Sequence, residues 1–380
     1  MLPLTLKKIA STSANKTFLA VNFGCRANAA ETNQLSQILL NSNLIPSKTN
    51  PGIIIVNTCS VTKKGDMESR SKINKLATRF PNSIILATGC ARLEKLPNLS
   101  NIKIITNPQK AKILHHLKSF YSSSSPDTMT RHHRFQLKVQ SGCTAFCSYC
   151  IVPYKRPTLW SLPVDDAINT VNRALSQSFT KIIITGINLA QYQYGLFNLV
   201  KALLTQTSAP LISFGSIPLL CVDDKFTHLF STFHSRLSNF LHVPIQSGSN
   251  KILKLMNRPY TQKDILETFN KLKSTKINNL KFGTDIIVGF PKETDDDFNQ
   301  TYNLCQFISF TKIHTFRFSP RPGTEGQELF DRYPKIPKSV THSRSRLIRS
   351  LISQTTPPSH QIGDKKTTPP ALEILLSYPK

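Results

Sequence analysis

Short β-rich runs alternate with amphipathic helical stretches from residue 17 almost to the end of the chain, and no other feature restricts its fold as much. A strand followed each time by a helix pairs with its neighbours in parallel, so the alternation predicts helix-covered parallel sheets. In the first part the runs are Thr17–Asn22, 53–57 and 83–88, with helical patterns over 31–40 and 66–79 and a further β-α pair over 102–117. This reads as an open parallel α/β sheet over residues 1–118. Four serines, 122–125, and Pro126 mark a polar linker, placed at 119–134. The alternation then resumes with a longer period. Candidate strands are 136–140, Lys181–Thr185, 211–215, 241–244, 282–288 and 315–319. Val164, Ala167, Ile168, Val171, Ala174 and Leu175 share one helical face. Six βα units over 135–330 predict a barrel or part-barrel. Residues 331–380 read as a basic helix carrying Arg344, Arg346 and Arg349, then Thr-Thr-Pro-Pro repeats and a short apolar end.

The eight cysteines are unevenly spaced. The N-terminal segment has only a short apolar stretch before Lys7 and Lys8, a poor secretory signal, and its basic, Ser/Thr-containing character only weakly allows a transit peptide. Metal or redox chemistry is therefore expected rather than a disulfide framework, in a cytoplasmic protein. Cys143, Cys147 and Cys150 form C-x-x-x-C-x-x-C after a predicted strand. Three close thiolates can hold three irons of a four-iron, four-sulfur cluster and leave the fourth iron open to a ligand. A structural zinc site is the competing reading; it needs a fourth ligand, and His132 and His133 lie nearby. Cys25, Cys59 and Cys90 each fall just past the C-terminal end of a predicted parallel strand. In an open α/β sheet those ends share one edge, where ligands bind, so the three thiols can converge. Taken singly, each could be an ordinary core cysteine. Cys221 and Cys305 have no partner pattern and read as structural.

Lys+Arg total 48 against 21 Asp+Glu, a formal charge of +27. Self-repulsion on that scale calls for a polyanionic partner: nucleic acid first, an anionic membrane surface second, with biased genome composition as the bland account. No run approaches the ~18 apolar residues of a membrane span.

The Cys143–Cys150 loop resembles that of the radical S-adenosylmethionine (SAM) superfamily. Gly24-Cys25-Arg-Ala-Asn28 with Glu31, Asn57-Thr-Cys59-Ser-Val61 with Arg70, and Gly89-Cys90-Ala91 are similar to the N-terminal domain of the methylthiotransferases within it. The likeness continues through Cys150-Ile-Val-Pro-Tyr154, Thr185-Gly-Ile-Asn188, His242 to Ser249, Met256-Asn-Arg258, Gly283 to Pro291, Glu293-Thr294 and Ser319 to Thr324, in order over roughly residues 17 to 350. Asn57 to Thr62, Lys72 in a basic helix, and Ser319 to Thr324 look most like the branch acting on threonylcarbamoyladenosine in tRNA; the isopentenyladenosine branch is also similar. The branch that modifies a ribosomal protein fits less well, because Arg321 and Pro322 stand where acidic residues are expected.

The resemblance implies two four-iron, four-sulfur clusters. One, on Cys143, Cys147 and Cys150, binds SAM and cleaves it reductively to a 5′-deoxyadenosyl radical, with Tyr149 near the adenine. The other, auxiliary, on Cys25, Cys59 and Cys90, carries sulfur that a second SAM methylates and that ends on carbon 2 of adenine. Implied partners are a tRNA anticodon loop, an electron donor such as flavodoxin or ferredoxin, and a sulfur donor; no membrane is implied. Gly186, Asn188, Gln246 and Asp285, at or near barrel strand ends, are candidate cofactor-binding residues, and Arg156 and Arg321 candidate substrate-binding residues. Three departures from the family pattern stand out. The 156–162 segment keeps Arg156 and Ser161 but has Pro157 where glycine is usual; Gly215-Ser-Ile-Pro218 lacks a glutamate; and the C-terminal RNA-binding β-barrel is absent or cut to a strand or two over 362–375. The alternative from another class is a catalytically degenerate iron-sulfur protein that binds RNA; a zinc-bearing nucleic-acid module is a third.

Overall fold

The computed structural model describes residues 16–60, 62–115, 134–275, 277 and 279–353. Most of the expected linker and the expected barrel remnant over 362–375 lie outside these residues, as do His132 and His133. β1 (Thr17–Asn22), β2 (Ile45–Pro46), β3 (Ile53–Thr58), β4 (Ile84–Gly89) and β5 (Ile102–Ile104) form one sheet in the order β2-β1-β3-β4-β5, every pair parallel. Ile53 to Val56 are fully buried because both faces of β3 are covered. One face packs on α1 (Arg26–Asn41) through Leu35 and Leu39; the other packs on α2 (Lys63–Arg79) through Ile73 and Leu76. A third helix, α3 (Asn107–His115), follows β5.

The second series builds the curved wall. β6 (Arg134–Lys138), β9 (Lys181–Thr185) and β10 (Leu211–Phe214) make one parallel sheet, and β11 (Phe240–His242), β12 (Lys281–Val288) and β13 (Lys312–Arg317) another. A single parallel bridge, Ile212 to Leu237, joins the two at the seam. The result is the expected part-barrel of six strands, with one continuous apolar core between wall and helices, from Leu137 to Leu351. Four strands end sooner than their sequence suggested: β6 at Lys138, β10 at Phe214, and, ahead of prolines, β11 at His242, two residues before Pro244, and β13 at Arg317, three before Pro320. Proline has no N–H for the ladder, so pairing stops ahead of it. Asp295, Asp296 and Asp297 form the acidic first turn of the helix Asp295–Ile308, capped by Thr294 in a reciprocal capping box. No helix among the described residues is long and apolar enough to cross a membrane.

Candidate functional site

Cys143 opens an irregular loop immediately after β7 (Gln140–Ser141), which pairs antiparallel with β8 (Trp160–Ser161). The 156–162 segment, where the sequence leaves its family's pattern, thus folds back onto the strand that launches the loop. Leu162 N–H donates to Val139 O at 2.8 Å, and Cys143 N–H donates to Arg156 O at 3.1 Å. Gly142 sits at φ +85°, hard against the Thr158 carbonyl, where a β-carbon would collide. The loop is pinned from two sides, where Asn188 Nδ2 donates to Cys143 Sγ at 3.5 Å and Arg258 to Cys147 Sγ at 3.3 Å, and it closes on itself where Cys150 N–H donates to Cys147 O at 2.9 Å. Gln140 Oε1 accepts from the backbone of Ile187 and Asn188 at 3.0 and 2.8 Å, fixing the turn after β9; Gly186 leaves room for it. Arg258 also reaches the Tyr149 hydroxyl at 3.4 Å and that of Tyr260 at 2.8 Å. Burial pushes the Cys150 thiol up to about 12, reinforced by the sulfurs of Cys147, Cys143 and Cys90. Such a thiol loses its proton only to a strong cation or metal.

The N-terminal thiols lie at the junction with this loop. Cys25 precedes α1, Cys59 follows β3, and Cys90 follows β4, so the shared strand-end edge forms as its parallel pairing requires. Arg156, leaving the loop, donates to Cys90 Sγ at 3.5 Å. The same guanidinium grips Glu31 of α1 at 2.7 and 3.0 Å and Asn28 at 2.7 Å. Glu31 also takes Lys110 and Lys138, each at 2.6 Å. All four side chains are at most 7% exposed, so one carboxylate faces three cations away from water. Burial alone would raise the Glu31 pKa; Lys110, Lys138 and Arg156 hold it well below the usual carboxylate range.

A second buried carboxylate repeats the arrangement near Cys59. Asp66 holds Arg70, Arg92 and Arg321, and Arg321 also donates to Ser60. Arg26 closes the junction on a third side, donating to Phe214 O at 3.1 Å and Gly215 O at 2.7 Å.

The candidates therefore divide. Asn188 meets the Cys143–Cys150 loop directly, and Tyr149 belongs to it. Gly186 lies behind it. Arg156 and Arg321 are both buried where the two halves of the chain meet, engaged by Glu31 and Asp66. Gln246, at φ +70°, donates its N–H to Asp285 O at 2.9 Å, pairing with β12 beyond the end of β11. Asp285 is engaged by His242 and His314, not by the loop. Lys110, Lys138 and His314 carried no sequence signal; Glu31, Arg258 and His242 stood inside matched motifs without an assigned task.

The donor sets suit clusters better than single ions. A tetrahedral zinc with sulfur at ~2.3 Å needs thiolates roughly 3.8 Å apart. Among the described residues, the group of three potential ligands with donor atoms within 4.8 Å of one another is His242, Asp285 and His314; neither thiol triplet is so tight. The surplus of buried cations beside Cys90 also calls for an anionic occupant, because uncompensated buried charge is very costly.

Residues 137–305 match the model of the radical SAM superfamily, and residues 17–118 that of uncharacterized protein family UPF0004. The chain is 31% identical over 353 residues to the threonylcarbamoyladenosine tRNA methylthiotransferase MtaB of Chlamydia pneumoniae, covering 88% of this chain and 82% of that one. It is 29% identical over 357 residues to the protein of that name from Aquifex aeolicus, covering 86% of each. To the tRNA-2-methylthio-N(6)-dimethylallyladenosine synthase of Neorickettsia sennetsu it is 28% identical over 381 residues, 89% of this chain and 79% of that one. Among solved structures, the radical SAM methyltransferase TsrM of Kitasatospora setae superposes with a TM-score of 0.61 at 12% identity, over 89% of this chain and 91% of that one, a likeness of fold.

Proposed function

The chain belongs to the radical SAM methylthiotransferase family, and from that premise we propose that it adds a methylthio group to carbon 2 of N6-threonylcarbamoyladenosine beside the tRNA anticodon. The observation that carries the reading is Arg156. It leaves the Cys143–Cys150 loop, contacts Cys90, and holds Glu31, so the two thiol sets face one another across a locked junction.

When bound, a cluster with SAM supplies one-electron reductive cleavage, the means to take hydrogen from a carbon that acid-base chemistry cannot activate. The chain's own residues do the rest. Cys143, Cys147 and Cys150 would hold that cluster, and Cys25, Cys59 and Cys90 the auxiliary one. Asn188 and Arg258 orient the sulfurs of Cys143 and Cys147, and Arg258 keeps a fixed positive charge at the loop. Lys110, Lys138 and Arg156 outweigh Glu31 by two charges and compensate the negative charge of the auxiliary thiolates. Phe146 and Tyr154, 47% and 52% exposed and edge to face at 5.5 Å, flank the loop and offer ring faces to a base splayed from a single-stranded anticodon loop. Basic surface residues bind the phosphates, so affinity falls as salt rises. A cytoplasmic setting, a flavodoxin- or ferredoxin-type reductant and a sulfur donor complete the reading.

The test is mass spectrometry of tRNA nucleosides from a strain lacking the gene, with and without complementation. Loss and return of 2-methylthio-threonylcarbamoyladenosine is expected. Loss of the isopentenyl counterpart instead would keep the chemistry and move the substrate. No change in any methylthio nucleoside would overturn the enzyme reading in favour of an iron-sulfur RNA binder. Cys59→Ala is expected to lower iron from roughly eight to roughly four per chain; unchanged iron would sink the auxiliary assignment.

A further inference from the structure

Three adjacent parallel strands carry a cluster of potential metal-ligating side chains separate from both thiol sets. On β11, β12 and β13, Leu241, Ile286 and Ile313 point into the core shared with the helices. Strand alternation turns their neighbours His242, Asp285 and His314 to the opposite, concave face. Asp285 and His314 are direct partners in the ladder, and His242 pairs with Gly283. Ile287, two residues beyond Asp285 and on the same face, belongs to a small apolar cluster against which Phe316 and Tyr149 pack.

Its geometry is compact. His242 Nε2 and His314 Nδ1 each lie 3.0 Å from the same oxygen, Asp285 Oδ1. Asp285 Oδ2 has no hydrogen-bond partner among the described residues. Gly283 makes the arrangement possible: a β-carbon there would come within 2.7 Å of His242 Nδ1 and 2.6 Å of the Phe240 ring. Exposure grades across the group, with side chains 9%, 25% and 47% accessible for His242, Asp285 and His314. The His242 end is closed by protein and the His314 end is reached by solvent.

We propose that His242, Asp285 and His314 form a binding site for one divalent transition-metal ion, zinc foremost, on the inner wall of the part-barrel. Two imidazoles and one carboxylate are a donor set that zinc accepts while keeping a position free. Ligands at ~2.0–2.2 Å in tetrahedral array stand roughly 3.3 Å apart, and the three donor atoms here all lie within 4.8 Å of one another. Solvent reaches the group at His314, which is half exposed. The proposal rests on these three strands and does not depend on the methylthio reading.

The experiment uses the cluster-loaded chain, dialysed anaerobically against zinc chloride, with zinc and iron measured by mass spectrometry. Wild type is expected to take up one zinc per chain. His314→Ala and Asp285→Asn are expected to weaken that uptake by at least ~10-fold with iron per chain unchanged. Unchanged iron shows that the variants fold. Zinc-edge X-ray absorption should show only nitrogen and oxygen neighbours at ~2.0 Å. No uptake by wild type, equal affinity in the variants, or sulfur neighbours at ~2.3 Å would each overturn the proposal.

Discussion

Arg156 and Glu31, 125 positions apart, are joined by two guanidinium-carboxylate hydrogen bonds of 2.7 and 3.0 Å in a pocket from which water is excluded. The pair ties the loop exit of the part-barrel to the first helix of the N-terminal sheet. Because Lys110 and Lys138 bond the same carboxylate, Glu31 is the counter-ion on which three cations depend.

Glu31→Gln should therefore cost far more than one ion pair. Three buried cations lose their carboxylate, and breaking a buried pair costs about 3–5 kcal/mol. Urea unfolding followed by circular dichroism should show a markedly lower midpoint. An unchanged midpoint would mean that the cage does not hold the junction.

Gly142→Ala tests the entry to the loop. The residue has φ +85°, and a side chain would meet the Thr158 carbonyl. Left-handed backbone costs an L-residue ~1–2 kcal/mol before any clash. The Cys143 hinge should shift, and iron per chain should fall. Full iron retention would show that the β7–β8 turn absorbs the strain elsewhere.

Arg258→Met removes the positive charge that touches Cys147 and Tyr149. A nearby cation favours the more negative, reduced form of a cluster, so its loss should move the midpoint potential to more negative values. Titration followed by electron paramagnetic resonance reads the shift directly. The same potential in the variant would separate Arg258 from the tuning of this site.

Asp297 predicts an acid weakness. Burial would raise its pKa, but Lys251 at 2.6 Å, the Thr294 backbone and the Ser249 hydroxyl hold it well below the normal aspartate value. A carboxylate depressed in the folded state adds stability that is complete above its unfolded pKa of ~3.9 and is lost as pH falls toward the folded value. Asp297→Asn should flatten the pH dependence of the unfolding midpoint below about pH 4. A variant as acid-sensitive as wild type would place the acid weakness elsewhere.

Much of the molecule was readable locally. Strand-helix alternation fixed the parallel sheets, since a residue's periodicity records which of its faces is buried. β9 was legible to the residue, Lys181–Thr185. The Cys143–Cys150 spacing announced its chemistry because all three thiols lie on one loop. Tertiary structure alone decided what the long-range partners do. Nothing near Lys110 or Lys138 marks them as buried, because their counter-ion stands on another element, brought there by the docking of α1 against β6. Arg321 reads as a loop residue facing substrate until the fold sets it against Asp66. His314 is an unremarkable strand residue until register places it beside Asp285, with His242 on the next strand. Period and spacing are properties of contiguous chain, whereas a buried charge or a shared ligand position is settled only when distant elements pack.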